Sequence, residues 1–203
     1  MSRVGILGGT FDPIHLGHLV VAEEVRRRLK LDEVLFVPAG MPYLKVDHHV
    51  TSAAHRLAML KLALAAYPCF KISTIEIDRP GPSYSVDTIS QLKVEFVGSD
   101  LYFVLGWDNL EELPRWHEPE RLLEWCRLVA VPRVGCPVPN LAALDKVLPG
   151  LRDNVIMLSE PLVDISASLI RERVAKGLPI DHLVPEAVAR YIREKGLYLP
   201  PIM

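Results

Sequence analysis

The segment that decides the fold is Arg3-Val4-Gly5-Ile6-Leu7-Gly8-Gly9-Thr10-Phe11-Asp12-Pro13-Ile14-His15-Leu16-Gly17-His18. Residues 3–7 form a short, largely apolar run that is typical of a buried strand, and a glycine pair follows at once. From His18 to Leu29 the apolar residues recur at helical spacing. The segment therefore predicts a strand, a glycine turn and a helix, which together form the first unit of a β-α repeat.

The same alternation continues along the 203 residues. Strands are predicted at Arg3–Leu7, Glu33–Val37, Phe70–Ile75, Leu101–Leu105, Arg127–Val131 and Val155–Leu158. Helices are predicted at His18–Leu29, Ala53–Ala66, Val86–Val94, Pro119–Trp125, Leu141–Leu148, Ser168–Ala175 and Pro185–Lys195. Because parallel strands need helical crossovers, this pattern predicts an α/β fold with a doubly wound parallel sheet. We expect one domain over residues 1–203, whose C-terminal portion from about 165 to 198 is helical.

Composition narrows the class of protein. Lys and Arg number 23 against 25 Asp and Glu, which gives a net charge of −2 and argues against nucleic acid or an anionic membrane as the main partner. No apolar run is long enough to span a bilayer or to serve as a signal peptide. The three cysteines are odd in number and form no C-x-x-C pair, so we expect reduced thiols and a cytoplasmic protein. A homo-oligomer stays open, because subunit contacts leave no readable pattern.

The residues after the first strand point to phosphate chemistry. Gly8 and Gly9 allow backbone N–H groups to approach a phosphate, and the start of the following helix adds the positive end of its dipole. His15 and His18 are spaced i, i+3 and can face one ligand. A protonated imidazole would also carry charge to a leaving group. Alternatively, the two histidines could cap the helix or bind a metal as a pair, although no third Cys or His lies at ligand spacing nearby.

Two further segments repeat this logic. Asp164-Ile165-Ser166-Ala167-Ser168-Leu169-Ile170-Arg171 places hydroxyls before a helix whose first turn carries an arginine. N–H groups, hydroxyls and a guanidinium can there converge on a polyphosphate, although a solvated, Ser-capped helix fits the same pattern. Gly106-Trp107-Asp108 follows the fourth strand, where Gly106 permits close approach and Asp108 could accept from a ribose hydroxyl.

The sequence from Gly9 to His18 resembles the (T/H)xGH signature of the nucleotidyltransferase superfamily, and its Thr-Phe-Asp-Pro-Ile-His version is most similar to bacterial nicotinate-nucleotide adenylyltransferases. The Ile165–Arg171 segment resembles the family's second signature, with Ala167 and Ser168 where Ser and Thr are usual. The Gly-x-Asp element is also similar, although Trp107 replaces a small residue. The resemblance implies a Rossmann-like nucleotidyltransferase fold.

The resemblance also implies roles for individual residues. Catalytic roles fall on His15, His18 and Arg171, and ATP binding falls on Gly8, Gly9, Thr10, Phe11, Gly106, Asp108, Ile165, Ser166 and Ser168. For the second substrate, Lys45 would contact phosphate, the amide of Thr88 would meet the nicotinate carboxylate, and Trp116 would stack on the pyridine ring beside His117. Leu44 stands where the family usually has histidine.

The reaction implied is transfer of AMP from ATP to the 5′-phosphate of nicotinate mononucleotide, giving deamido-NAD and pyrophosphate. Mg²⁺ would enter with ATP and bridge its polyphosphate, and no protein metal site is expected. Rival hypotheses keep the chemistry but change the acceptor to nicotinamide mononucleotide or phosphopantetheine, or make the chain a non-catalytic nucleotide sensor. A dehydrogenase is less favoured because G-x-G-x-x-G is absent from the sequence.

Overall fold

The computed structural model describes residues 1–40 and 50–200. The strands in this part of the chain are β1 (Arg3–Gly9), β2 (Glu33–Pro38), β3 (Phe70–Ile72), β4 (Asp100–Gly106), β5 (Arg127–Val131) and β6 (Val155–Met157). The helices are α1 (Leu16–Leu29), α2 (Ala53–Leu64), α3 (Ile75–Asp78), α4 (Ser85–Glu95), α5 (Trp107–Glu112), α6 (Pro119–Trp125), α7 (Leu141–Val147), α8 (Leu151–Asn154), α9 (Ala167–Ala175) and α10 (Glu186–Glu194).

The strands form one sheet in the order β3-β2-β1-β4-β5-β6, and every neighbouring pair is parallel. β1 therefore pairs with β2 on one side and with β4 on the other, which places the reversal of strand order between β1 and β4. The doubly wound parallel sheet is confirmed. In such a sheet the crevice outside the carboxyl ends of the central strands is the expected ligand site.

Helices cover both faces of the sheet. Alternate residues of each strand point to opposite faces, so that Val34 and Phe36 join one core while Leu35 and Val37 join the other. The first core includes residues of α1, α2, α9 and α10. The second core includes residues of α4, α5 and α6. The predicted C-terminal helices, α9 and α10, thus contribute to the same core as α1, the helix that follows the glycine pair.

Some predicted boundaries were wrong. β3 ends at Ile72, because residues 75–78 turn into α3 instead of continuing the strand. Three helices of four to six residues, α3, α5 and α8, were not predicted, since so short a helix has too few turns to show a helical period. None of the helices in the described ranges is long and apolar enough to cross a bilayer. Cys69, Cys126 and Cys136 are unpaired thiols.

Candidate active site

A cleft with a volume of about 500 Å³ opens at the carboxyl ends of the central strands. Its floor is formed by the last residues of β1 and β4, and its walls include the first turns of α1 and α9. Twelve predicted site residues line it: Gly8, Gly9, Thr10, Phe11, His15, His18, Gly106, Trp116, His117, Ile165, Ser166 and Arg171. Residues from the beginning, middle and end of the chain therefore meet at the reversal of strand order.

His15 and His18 form a stacked pair at the start of α1. Their ring centroids are 3.6 Å apart, with 25° between the ring planes. The backbone N–H of His15 donates to Nδ1 of His18 at 3.3 Å, so Nδ1 carries no proton and the neutral His18 ring holds its proton on Nε2. Phe11 packs edge-on against His18 at 5.0 Å. Both imidazoles are held by local contacts and face one cleft.

The His15 ring is neutral at neutral pH. Burial, with a smaller contribution from the positive charge of Arg133, lowers the pKa of His15 to about 4. Its Nδ1 is buried and has no hydrogen-bond partner within the described part of the chain. In the unliganded protein His15 can therefore act as a hydrogen-bonding group, whereas the charged imidazolium considered from the sequence is disfavoured.

Arg171 joins the two predicted phosphate motifs. One guanidinium nitrogen donates to the Asp12 carbonyl at 2.7 Å, and the other donates to the Ser168 hydroxyl at 3.2 Å. Ser166 caps α9 by accepting from the Leu169 N–H at 3.2 Å. Ser168 thus orients Arg171 and does not line the cleft itself. The cleft receives a positioned guanidinium at the N-terminal end of a helix, where anions are favoured.

The loop after β1 is held by residues that sequence reasoning missed. Arg56 is fully buried, and its guanidinium donates to the carbonyls of Thr51, Thr10 and Ala39 at 2.7–3.0 Å. The sequence signal was ambiguous because a charged residue in an amphipathic helix is usually exposed.

The Asp12 carboxylate is a second anchor of this loop. It accepts from the N–H of Thr51 at 3.1 Å and from the hydroxyl of Tyr198 at 2.7 Å. Burial, together with the negative charge of Asp12, raises the pKa of Tyr198, which therefore remains a hydroxyl donor. In the sequence Asp12 is only one residue of the first motif, and no local pattern points to a partner near the C-terminus.

At the end of β4 the side chains differ from expectation. Asp108 does not line the cleft, because it forms an ion pair with Arg133 at 2.7 Å. Arg133, which was not predicted as a site residue, follows β5 and does line the cleft. Trp107 packs against the second core and so does not form the rim of the cleft. Arg133 contacts only Oδ2 of Asp108, whereas Oδ1 is buried and has no hydrogen-bond partner within the described chain, so a ribose hydroxyl could still donate to Oδ1.

The far end of the cleft is aromatic. Trp116, His117 and Tyr84 line it, with the rings of Tyr84 and His117 4.5 Å apart. The indole N–H of Trp116 is buried and has no partner within the described chain, so a bound ligand could accept from it. Lys45, for which the resemblance implies a phosphate contact, lies outside the described residues.

Thr88 occupies a different position from the one expected. Its amide already donates to the Tyr84 carbonyl at 3.3 Å, as the first hydrogen bond of α4. Its side chain is buried, and Ser85 lines the cleft in its place. If an anion meets this helix, the N–H groups that precede Thr88, at residues 85–87, are the ones without an intrahelical partner.

The described residues do not form a resident metal centre. No group of three or more His, Cys, Asp or Glu side chains in residues 1–40 and 50–200 is arranged to hold a metal ion. Among the described lining residues, Asp12 and Glu76 carry carboxylates, and both accept hydrogen bonds from protein hydroxyls. This donor set suits a Mg²⁺ ion that arrives on a polyphosphate and keeps water and phosphate ligands.

Comparisons with known proteins agree with this geometry. A model of the cytidylyltransferase-like family matches residues 6–173. A Dehalococcoides mccartyi protein named "Probable nicotinate-nucleotide adenylyltransferase" is 55% identical over 197 residues, which is 97% of this chain and 97% of that protein. A Thermomicrobium roseum protein of the same name is 48% identical over 198 residues, which is 98% of this chain and 92% of its own length.

The fold is also found in a solved structure. The Plasmodium falciparum nicotinic acid mononucleotide adenylyltransferase complexed with NaAD superposes with a TM-score of 0.80 at 20% identity, and the match covers 98% of each chain. At that identity the match shows the fold alone. The family model and the sequence relatives show the family: the chain belongs to the cytidylyltransferase-like family and, within it, to the nicotinate-nucleotide adenylyltransferases.

Proposed function

We propose that this protein transfers AMP from ATP to the 5′-phosphate of nicotinate mononucleotide, with deamido-NAD and pyrophosphate as products. The observation that carries the proposal is the meeting of His15, His18 and Arg171 in one cleft between the ends of β1 and β4. An oxygen of the acceptor phosphate bonds to the α-phosphorus of ATP. The bond from that phosphorus to the bridging oxygen of the β-phosphate breaks, so pyrophosphate leaves and no protein group is modified.

ATP would lie across the ends of β1 and β4. The glycines at residues 8, 9 and 106 line the cleft there, so backbone can approach the nucleotide closely. Thr10, Phe11 and Ile165 would complete the walls, while Ser166 places the N-terminal end of α9 toward the polyphosphate. Mg²⁺ bound to the polyphosphate would partly neutralise its charge.

His15, His18 and Arg171 supply stabilisation during the transfer. The imidazoles act as hydrogen-bond donors near the α-phosphate, and Arg171 holds the charge that develops on pyrophosphate. Positioning the two substrates in line can supply roughly 7–11 kcal/mol, and one well-aimed donor about 3 kcal/mol. The stacked, hydrogen-bonded arrangement of the two rings supports this role because little reorganisation is needed.

The acceptor would occupy the aromatic end. Trp116 can stack on a pyridine ring, and the N–H groups of the first turn of α4 favour a carboxylate by about 0.3–1 kcal/mol. This preference supports nicotinate over nicotinamide mononucleotide. His117, which lines the cleft, would contact the acceptor, and the family resemblance gives Lys45 a phosphate contact. The Thr88 amide makes the first hydrogen bond of α4 and would act by holding the free N–H groups before it in place.

The whole chain would work as one catalytic domain with Mg·ATP and nicotinate mononucleotide as its small-molecule partners. The unpaired state of its three cysteines supports a reducing compartment, and we propose the cytoplasm. No nucleic acid or membrane partner is proposed, in keeping with the net charge of −2.

Pyrophosphate release tests the proposal. Purified protein is given ATP and Mg²⁺ with nicotinate mononucleotide, nicotinamide mononucleotide or phosphopantetheine in parallel. We expect release that depends on the nicotinate compound and is much slower with its amide. His182→Ala, a change at an exposed histidine, serves as the matched control for His18→Ala. ATP binding without release for any acceptor would instead favour a nucleotide sensor.

A further inference from the structure

Glu76 is a buried carboxylate on the acceptor side of the cleft that the reaction does not require as an acid or base. It lies in α3, lines the cleft, and is only 9% exposed. Burial raises the pKa of Glu76, while hydrogen bonds from Thr88 and Ser83 and the charge of Arg79 act in the opposite direction. A buried carboxylate in this setting needs a structural or functional reason.

The partner of Glu76 lies in the first turns of α4. The Thr88 hydroxyl donates to Oε1 of Glu76 at 2.7 Å, and the Arg79 guanidinium donates to the same hydroxyl oxygen at 3.1 Å. The Thr88 hydroxyl also lies 3.2 Å from the Tyr84 carbonyl. Its one hydrogen can serve only one strong acceptor, and a carboxylate at the shorter distance prevails.

The residues just before Thr88 in the chain form part of the cleft wall. Tyr84 and Ser85 both line the cleft and are the cap and first residue of α4. Ser83, one residue earlier, accepts from the Gly40 N–H at 3.1 Å and so ties this turn to the chain after β2. The Glu76 backbone is equally close, because a Cβ on Gly40 would lie 2.0 Å from its carbonyl oxygen.

We propose that Glu76 is a positioning residue for the acceptor: by holding the Thr88 hydroxyl, it fixes the first turn of α4 and thereby the Tyr84-Ser85 wall of the cleft. Without Glu76 the Thr88 hydroxyl donates to the Tyr84 carbonyl instead, and Arg79, which still contacts the hydroxyl oxygen, loses the carboxylate near its charge. The wall then shifts on the acceptor side, while the ATP side, formed by β1, β4 and α9, stays in place. This inference rests on the proposed function.

The test is a comparison of KM values for the two substrates. Glu76→Ala should raise KM for nicotinate mononucleotide by about tenfold, with KM for ATP changed less than about twofold. Glu76→Gln keeps an oxygen that accepts from Thr88 and should stay within about threefold of the parent for both substrates. Thr88→Val, which keeps the shape but removes the hydroxyl, should reproduce the Glu76→Ala effect. Lys93→Ala, exposed on the far end of α4, is the control.

Three results would overturn the inference. Equal changes in both KM values, or a lower melting temperature with both KM values unchanged, would reduce Glu76 to a general stabiliser of the fold. A Glu76→Gln variant as impaired as Glu76→Ala would show that the charge, not the hydrogen bond, matters.

Calorimetric binding of nicotinate mononucleotide to the same variants separates this inference from the proposed function. Binding to the parent without turnover contradicts the proposed reaction, yet the ratio of Kd values between the parent and Glu76→Ala still tests the role of Glu76. Absence of binding to the parent would contradict both.

Discussion

The Arg171 guanidinium donates to the backbone carbonyl of Asp12 at 2.7 Å, although 159 residues separate the two along the chain. Asp12 belongs to the loop after β1 and Arg171 to α9, so this hydrogen bond joins the two halves of the candidate site. The position of the guanidinium therefore depends on the loop that also carries His15. A charge alone at this position would not reproduce the arrangement, because a planar donor is needed to reach several acceptors at once.

Arg171→Lys tests this dependence on shape. The ammonium keeps the charge but cannot contact the Asp12 carbonyl, the Ser168 hydroxyl and a phosphate together, so kcat should fall about tenfold, and about hundredfold in Arg171→Ala. Steady-state pyrophosphate release measures both, with Lys176→Ala, at the exposed C-terminal cap of the same helix, as control. A fully active lysine variant would mean that charge is sufficient.

His18→Ala should lower kcat by about a hundredfold or more, because it removes a donor aimed at the reacting phosphate. The exposed His182 provides the comparison, and its alanine variant should keep the parental rate. Circular dichroism and the melting temperature establish that both variants fold. A near-normal rate in His18→Ala would contradict the proposed chemistry.

His15 makes stability depend on pH in a defined window. Its pKa is about 4 in the folded protein against 6.5 for the free side chain, so the unfolded chain binds more protons between these values. Stability contributed by the neutral ring is present above pH 6.5 and is lost as the pH falls toward 4. The free energy of unfolding should drop by about 2 kcal/mol from pH 7 to pH 5 through this residue.

Urea unfolding of the parent and His15→Asn at both pH values measures the effect of this one ring, since the contributions of other groups cancel between the two proteins. The asparagine variant should lose less stability on acidification. Parallel losses would show that His15 titrates normally in the folded state.

Gly17→Ala should damage activity more than stability. A Cβ at this position would lie 3.0 Å from Nδ1 of His15 and 3.0 Å from Cγ1 of Val163, so the ring must move. Alanine favours the helix by about 1 kcal/mol, which offsets part of the crowding. We expect kcat to fall about tenfold with a melting temperature near that of the parent. Val20→Ala, exposed on the same helix, should change neither.

Arg56→Ala should lower the free energy of unfolding by at least about 3 kcal/mol, because three backbone carbonyls lose their donor in the interior. Equilibrium unfolding in urea gives the value. Lys61→Ala, exposed on the same helix, should stay within about 0.5 kcal/mol of the parent. A small loss in Arg56→Ala would show that water replaces the guanidinium.

The strands and the cleft could be predicted because their signals are local. A buried parallel strand is a run of apolar residues. The residues that indicate phosphate chemistry, Gly8-Gly9, His15 and His18, lie within one short segment that follows such a strand. Both features were found where the sequence indicated. The family resemblance added Arg171, which no local pattern distinguishes from a solvated arginine, and the structure brings it into the same cleft.

What could not be predicted depends on distant partners. No local signal pointed to the ion pair of Asp108 with Arg133, 25 residues later, and the role of Asp108 in ribose binding stays a prediction. Glu76 and Thr88 look like ordinary polar residues until α3 and α4 bring them within hydrogen-bonding distance. The sequence indicated an exposed Arg56, but the side chain is buried, because the folded chain supplies three backbone carbonyls as its acceptors.

The hydrogen bond from Tyr198 to Asp12 has a consequence for biosynthesis. The ribosome makes Asp12, within the glycine and histidine motif, 186 residues before it makes Tyr198, the anchor of that motif. A nascent chain that has already built its sheet still lacks the contact that secures the loop after β1. The loop after β1 therefore gains this anchor only once Tyr198 has left the exit tunnel, and termination before that residue leaves the loop without it.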